Sequence, residues 1–403
     1  MRKILSIAIA FMLAWPAHSV VKPKYRNPTG KEFPILAWYS VLGDDVTPER
    51  YRELRDAGFN ISFSHFKTAA EVEKALKACR GTGVKLMVTC GELEKNTEAT
   101  VKRFKGDRSV AGWFLRDEPR TDGYPALREF RDRIYSADKS HIGYLNLLPC
   151  FVSADDLKAK SYEDYVQRFV DEVGLPLISY DLYPVVENNY KAELRPEFFE
   201  NLETVRKVSL RSGCPFWAFC LSTAHNPYPI PTDTHLRVEA FCALAYGAQC
   251  IQYFTYTNPD TTVWNFHNAP IDASGKRTGV YYRIKNLNRI IQNLAPVFLG
   301  ATVTDVSHIG KVLPKGTKPL ENLPMNFLSL RCDGESALVS QISNGKHRYV
   351  MIVNTSLDEP QGVSFHLENP AVRITTEGKE EQVMFGHHYT MMYPGSYVLY
   401  RMK

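Results

Sequence analysis

Eight short apolar runs, each followed by a stretch with helical spacing, fill the chain from Pro34 to Leu294. The runs are Pro34–Val41, Phe59–Ser64, Val84–Cys90, Val110–Leu115, Ile142–Leu148, Leu175–Tyr183, Pro215–Leu221 and Gln249–Tyr256. Each is too short for an ordinary helix and rich in aromatic or branched residues, so each reads as a buried strand. The helices between them are predicted over Thr47–Gly58, Ala69–Arg80, Thr97–Lys105, Tyr124–Ala137, Ser161–Val173, Pro196–Ser212, His235–Tyr246 and Val280–Leu294. Thr47 before Pro48 marks the first of these starts, a capping hydroxyl followed by a residue that needs no N–H partner. Strict strand–helix alternation requires a parallel sheet. Eight units in roughly 270 residues is the size of a closed (β/α)8 barrel. A doubly wound open sheet is the alternative, but no glycine-rich phosphate loop follows the first run.

The chain has 403 residues, more than one ordinary domain needs. From about Gly300 the pattern changes to short strands: Phe327–Arg331, Ala337–Ile342, Arg348–Asn354, Val363–Leu367 and Ser396–Arg401. Turn pairs such as Asp333-Gly334 and Asn344-Gly345 separate several of them, as in an antiparallel β-sandwich. The fold expected is therefore α/β: a (β/α)8 TIM barrel over residues 20–299, then a small C-terminal antiparallel β-sandwich over 300–403. The sandwich reads as structural support for the barrel. Residues 1–19 read as a signal peptide: Arg2 and Lys3 give the charged start, Ile4–Trp15 the apolar core, and Ala17-His18-Ser19 the cleavage site. That core is too short to span a bilayer. The expectation is export, to a periplasmic or extracellular location.

Without Arg2 and Lys3 the formal charge of +5 falls by two to +3, and no long basic run is present. Nucleic acid and anionic membranes are poor partners for such a chain. The eight cysteines are few for the length and no pairing is readable; Cys90, Cys220 and Cys250 sit in or at the ends of apolar runs and read as buried thiols. No C-x-x-C, H-E-x-x-H or calcium-loop spacing occurs, so neither metal nor cofactor is expected. Oligomeric state is not readable. Aromatic content of 12% suits sugar-stacking clefts, but large cores use the same residues.

Parallel barrels carry their chemistry at the carboxyl ends of the strands. The fourth run, V-A-G-W-F-L-R-D-E-P, ends in Arg116, Asp117 and Glu118 before Pro119, which cannot donate to a sheet. A half-buried Glu there is the kind of group whose pKa rises far enough to donate a proton near neutrality. Glu118 is the leading catalytic candidate; a solvated loop mouth is the bland alternative. Other strand ends offer Trp38, Tyr39, Asp44 and Asp45 (first), His65 (second), Glu92 and Glu94 (third), Asn146 (fifth), Asp181 and Tyr183 (sixth), Ser222, Thr223 and His225 (seventh), and Tyr253, Tyr256 and Asn258 (eighth), with Trp264 beyond.

Four segments in this order, G-W-F-L-R-D-E-P, S-Y-D-L-Y-P, P-F-W-A-F and L-A-Y-G-A-Q-C-I-Q-Y-F-T-Y, resemble the strand ends of clan A glycoside hydrolases, in the neighbourhood of β-galactosidase-like barrels. The resemblance spans roughly Pro34 to Leu294 and implies that Glu118 is the general acid/base and that Asp117 contacts the sugar or orients the acid. It also implies a nucleophilic Glu at the end of the seventh strand, where this chain reads W-A-F-C-L-S-T-A-H without a carboxylate. Glycosidases normally need two carboxyls. Asp181 is the best candidate for the second, with Glu92 and Glu187 behind it; a structural or substrate-orienting role for Asp181 weighs about equally. Substrate-binding candidates are His65, Tyr39, Asn146, Tyr183, Tyr256, Trp264 and Glu92, each of which has a core or rim role as its bland alternative. Cys220 as a nucleophile carries little weight, since no His is placed beside it. The expected function is hydrolysis of an oligo- or polysaccharide. The alternative is a catalytically inactive carbohydrate-binding barrel, motivated by the missing seventh-strand Glu; a scaffold or adhesion role is weaker, for want of repeats or a stalk.

Overall fold

In the computed structural model, which describes residues 23–402, the eight apolar runs become eight parallel strands. The predicted signal peptide lies outside the described residues. The strands are β1 Ile35–Trp38, β2 Ile61–Phe63, β3 Lys85–Val88, β4 Val110–Asp117, β5 Ile142–Asn146, β6 Ile178–Tyr180, β7 Phe216–Leu221 and β8 Ile251–Phe254. They pair in the order β5-β4-β3-β2-β1-β8-β7-β6. A parallel bridge from Leu147 to Tyr180 joins the two ends, with the Leu147 N–H donating to the Ser179 carbonyl at 2.8 Å, so the sheet closes into a barrel.

Two apolar layers follow from alternation along each strand. In β4, Phe114 points into the barrel while Trp113 and Leu115 face the surrounding helices. The inner layer is aromatic towards its carboxyl end: the Trp38 ring lies 4.2 Å from Phe63, 5.4 Å from Phe219 and 5.6 Å from Phe114. At the opposite end, the Trp217 indole donates to the Tyr25 hydroxyl at 3.4 Å. Helix starts follow the capping chemistry expected: Thr47, Thr68, Ser161 and Thr232 each accept a backbone N–H at the entrance of a helix.

Several elements between barrel strands differ from expectation. Gly91–Lys95 and Ala154–Leu157 form short extra helices, and after β6 a hairpin, Val185–Asn188 with Lys191–Leu194, precedes the long helix Glu197–Ser212. No helix among the described residues is long and apolar enough to cross a membrane.

The C-terminal strands are β9 Thr302–Ile309, β10 Phe327–Cys332, β11 Ala337–Asn344, β12 His347–Asn354, β13 Gln361–Leu367, β14 Ala371–Ile374, β15 Glu380–Val383, β16 Gly386–Met392 and β17 Tyr397–Met402. They form a six-stranded sheet (β9-β11-β12-β17-β14-β15) facing a three-stranded one (β10-β13-β16). Val339, Ile352, Phe365 and Met392 fill the space between the sheets, while Leu338, Met351 and Leu399 on the other face join the barrel core. The helix Asp233–Tyr246 lies between β7 and this sheet and is buried almost all round. Its Phe241 ring packs 4.5 Å from Tyr397, and the Ala245 carbonyl accepts from the Ser340 hydroxyl at 2.6 Å. Six of the eight cysteines are buried.

Gly112 lets β4 approach β5 closely, since a Cβ there would sit 2.5 Å from the Ile142 carbonyl oxygen. Gly112→Ala should therefore lower stability by about 1–3 kcal/mol, read as a fall in the urea midpoint. An unchanged midpoint would show that the β4–β5 contact yields without cost.

Candidate active site

The active-site candidates are set by a fault in the sheet. β4 continues past its apolar run because Asp117 pairs with Asn146, and the β4–β5 register slips between Phe114 and Asp117. Such a bulge bends a strand and re-aims its side chains. Glu118 follows with a positive φ of 45°, its N–H donating to the Asn146 carbonyl at 2.8 Å. Tyr39, at the end of β1, has φ 44°, and its carbonyl accepts from both the N–H (3.0 Å) and the hydroxyl (2.8 Å) of Thr257. Left-handed backbone on a side-chain-bearing residue persists where neighbours over-determine it, and both residues line one cleft.

That cleft, of about 900 Å³, opens at the carboxyl ends of the strands. Asp117, Glu118, Asn146, Asp181, Arg195, His225 and Asp260 are among its polar groups, and Trp38, Tyr39, Tyr183, Phe219, Phe254 and Trp264 form much of its apolar wall. Asn146 is buried and held from below. Gln252 accepts from the Tyr144 hydroxyl (2.6 Å) and donates to Ser179 (2.9 Å), and Ser179 donates to the Asn146 amide oxygen (3.0 Å). With its oxygen so occupied, the Asn146 NH2 points at Asp181 (2.8 Å) and more loosely at Asp117 (3.4 Å).

Desolvation raises the Glu118 pKa while a hydrogen-bonding interaction with Asp181 opposes the rise, so the two carboxyls are coupled. Desolvation raises the pKa of both, and the Glu118 and Asp117 charges raise Asp181 further, well above the carboxylate range. The two titrate as a pair. Asp117 is pushed up to about 7 by desolvation and by the Glu118 charge, against the opposing hydrogen bond from Asn146. Asp117 and Glu118 keep solvent access through the cleft mouth, so the surrounding walls rather than full enclosure desolvate them.

The other sequence candidates divide. Tyr39, Asn146, Tyr183 and Trp264 line the cleft, Trp264 still 53% exposed. His65 stands exposed outside the cleft lining, its ring 4.8 Å from Phe63. Glu92 is also outside: its carboxylate accepts the Ala69 N–H at 3.0 Å, which lowers its pKa and makes it a helix-entrance residue. Tyr256 is buried behind the strand end, 5.4 Å from Phe59. Glu187 lies on the hairpin, away from the cleft. Cys220 faces outward to Glu239; burial pushes its thiol up, so it is no nucleophile. At the end of β7, Ser222 and Thr223 donate to the Thr255 carbonyl at 2.6 and 3.2 Å, tying β7 to β8 where a carboxylate was implied. Sequence reasoning missed Phe151, Arg195, Asn226 and Tyr228 in the wall. All lie on loops, where no periodicity marks direction.

The raised pKa of Asp117 has a sign for stability. The folded state binds a proton that the unfolded state has released between about pH 4 and 7, so stability falls as pH rises through that window. Asp117→Asn removes this loss. Its melting temperature should exceed wild type by roughly 1–3 °C at pH 8 and match it near pH 4, the solvent access of the site limiting the size. Equal temperatures at pH 8 would contradict the desolvation.

Residues 159–294, which carry β6, β7 and β8, match a family model described as beta-galactosidase, glycoside hydrolase family 42. No curated protein matches the sequence. Among solved structures, a catalytic mutant of a family 42 beta-galactosidase from G. stearothermophilus is similar at TM-score 0.62 and 9% identity, over 94% of this chain and 100% of that one. The beta-galactosidase from Bacillus circulans sp. alkalophilus gives 0.61 and 9%, over 93% and 99%. That from the psychrophilic Marinomonas ef1 gives 0.50 and 12%, over 65% of this chain, which spans only 60% of its length. At these identities the structural likeness is one of fold. The chain shares the (β/α)8 barrel and following β-sandwich of the family 42 beta-galactosidases it is similar to, and its family match over the last three barrel strands supports a glycoside hydrolase.

Proposed function

We propose that the protein is an exported glycoside hydrolase acting on an oligo- or polysaccharide, with Glu118 as general acid. The observation that carries this reading is the coupled, desolvated Glu118–Asp181 pair in an aromatic-walled cleft. Protonating a glycosidic oxygen near neutrality needs a carboxyl that is still partly neutral there, and desolvation beside a second acid provides one. Asp117, steadied by Asn146, holds the sugar or the acid. Tyr39, Tyr183 and Trp264 offer ring faces with polar tips for stacking.

Asp181 is the second carboxyl in this proposal. Retaining pairs stand about 5 Å apart and inverting pairs about 6.5–9.5 Å, the wider gap holding a water. With a sugar seated in the cleft that both residues line, Asp181 can take a proton from a water on the far face of the ring, which gives inversion. A second reading, a carbohydrate-binding barrel without turnover, is favoured by the hydroxyls of Ser222 and Thr223 where the seventh-strand carboxylate would stand.

Wild type and Glu118→Gln, screened against an oligosaccharide panel with the first-formed anomer followed by proton NMR, separate these. The hydrolase reading expects turnover in wild type and a loss of about 10²–10⁴-fold in the variant. Inversion supports Asp181 as base and retention removes it from that role. Sugar binding in both proteins with turnover in neither leaves the binding barrel. In Asp181→Ala the interaction that lowers Glu118 is gone, so the Glu118 carboxyl, followed by carboxyl carbon NMR, should titrate at higher pH than in wild type. An unchanged or lower titration would contradict the pairing.

A further inference from the structure

We propose that the cleft selects an anionic sugar, one carrying a uronate carboxylate or a sulfate ester, and that Arg195 reads the charge; this rests on the hydrolase reading. Arg195 is delivered by the hairpin after β6. Asn189 and Tyr190 turn the hairpin with φ of 48° and 63°, its second strand ends at Leu194, and the Arg195 N–H donates to the Pro184 carbonyl at 2.7 Å. The side chain lines the cleft. Its guanidinium carbon lies 5.0 Å from the centre of the Phe151 ring and 5.5 Å from that of Tyr228, and one terminal nitrogen donates to the Tyr228 hydroxyl at 3.1 Å.

Arg195 lines the cleft without a counter-charge: Arg55 pairs with Glu32, Arg131 with Asp132 and Arg401 with Glu380, whereas no carboxylate stands within ion-pair distance of Arg195 among the described residues. Its Nε is buried and has no hydrogen-bond partner. A partly buried cation without a partner is costly. The catalytic acids do not absorb the charge, since Arg195 is absent from the groups that shift Asp117 and Glu118; the neighbour it acts on is the Tyr228 phenol, whose pKa burial raises against the pull of the guanidinium. His225, its ring 4.7 Å from that of Tyr228, has a pKa lowered by desolvation and adds a neutral imidazole rather than a second cation.

A neutral hydroxyl is served by amides and phenols, which this wall already has. A planar cation steadied between two rings, with its orientation pinned by a phenol, matches the two oxygens of a carboxylate or sulfate. The hairpin is thus a specificity element, and Arg195 a substrate-binding residue.

The test uses the full-length protein with galacturonate oligomers, sulfated galactan oligosaccharides, and their carboxyl-reduced and desulfated counterparts. Wild type is expected to favour one charged form over its neutral counterpart by at least about tenfold in kcat/KM. Arg195→Met should bring that ratio close to one, and Arg195→Lys should keep part of it. Which charged form is favoured tells uronate from sulfate. The inference is overturned if neutral forms are preferred, or if Arg195→Met weakens charged and neutral forms equally. Calorimetric binding of the same oligosaccharides to Glu118→Gln separates the two levels of the proposal. Charge-selective binding lost in the Glu118→Gln/Arg195→Met double variant, without turnover by wild type, removes the hydrolase and keeps the anion site. Binding without charge preference removes the anion site whatever the turnover.

Discussion

The side-chain amide of Asn146 donates to Asp181 while its backbone carbonyl accepts the Glu118 N–H, so one residue at the end of β5 fixes both members of the carboxyl pair. Its orientation is not free: Tyr144, Gln252 and Ser179 form a buried chain of donors and acceptors that leaves the amide oxygen facing down and the NH2 facing the acids. Each member of that chain is satisfied, which is the condition under which a buried polar network specifies a single arrangement. The barrel makes this possible by bringing β5, β6 and β8 side chains into one interior, above which an aromatic layer around Trp38 forms the apolar floor.

The site departs from the usual two-carboxylate plan at β7. There the hydroxyls of Ser222 and Thr223 are committed to the Thr255 carbonyl, and Glu239, the nearby acid, is buried on the helix behind with its carboxylate accepting the Leu221 N–H at 2.6 Å. Burial raises Glu239 to about 8, but it serves the strand end from outside the barrel. Three acids, Asp117, Glu118 and Asp181, enter the cleft from the β4 and β6 ends, with Asp260 in the loop after β8, while aromatic rings, His225 and Arg195 complete its wall.

The barrel was legible because its strands are apolar on both faces and its helices amphipathic, two patterns that tertiary context seldom overrides. Helix Tyr124–Ala137 has its predicted ends, where Pro125 opens it and Asp138 leaves helical conformation. β4 runs two residues beyond its apolar run because a bulge lets Asp117 pair with Asn146, and no composition signal announces a bulge. Glu92 and Tyr256 sit at strand ends as read, yet point away from the cleft. Side-chain direction there depends on the turn leaving the strand, which carries no period. The hairpin that delivers Arg195 was invisible for a similar reason: four-residue strands with exposed faces read as loop. In the sandwich, β9, β14, β15 and β16 escaped notice because charged and polar residues interrupt their alternation.

The coupled protonation of Glu118 and Asp181 is the point on which the account stands, and it can be observed directly. Carboxyl carbon NMR of protein labelled at Glu and Asp, assigned through Glu118→Gln and Asp181→Asn, follows each group against pH. The expected result is a coupled titration in which the pair loses its last proton well above the ordinary carboxylate range of about 4. Two independent titrations near 4 would contradict it, and with it the case for Glu118 as a proton donor near neutrality.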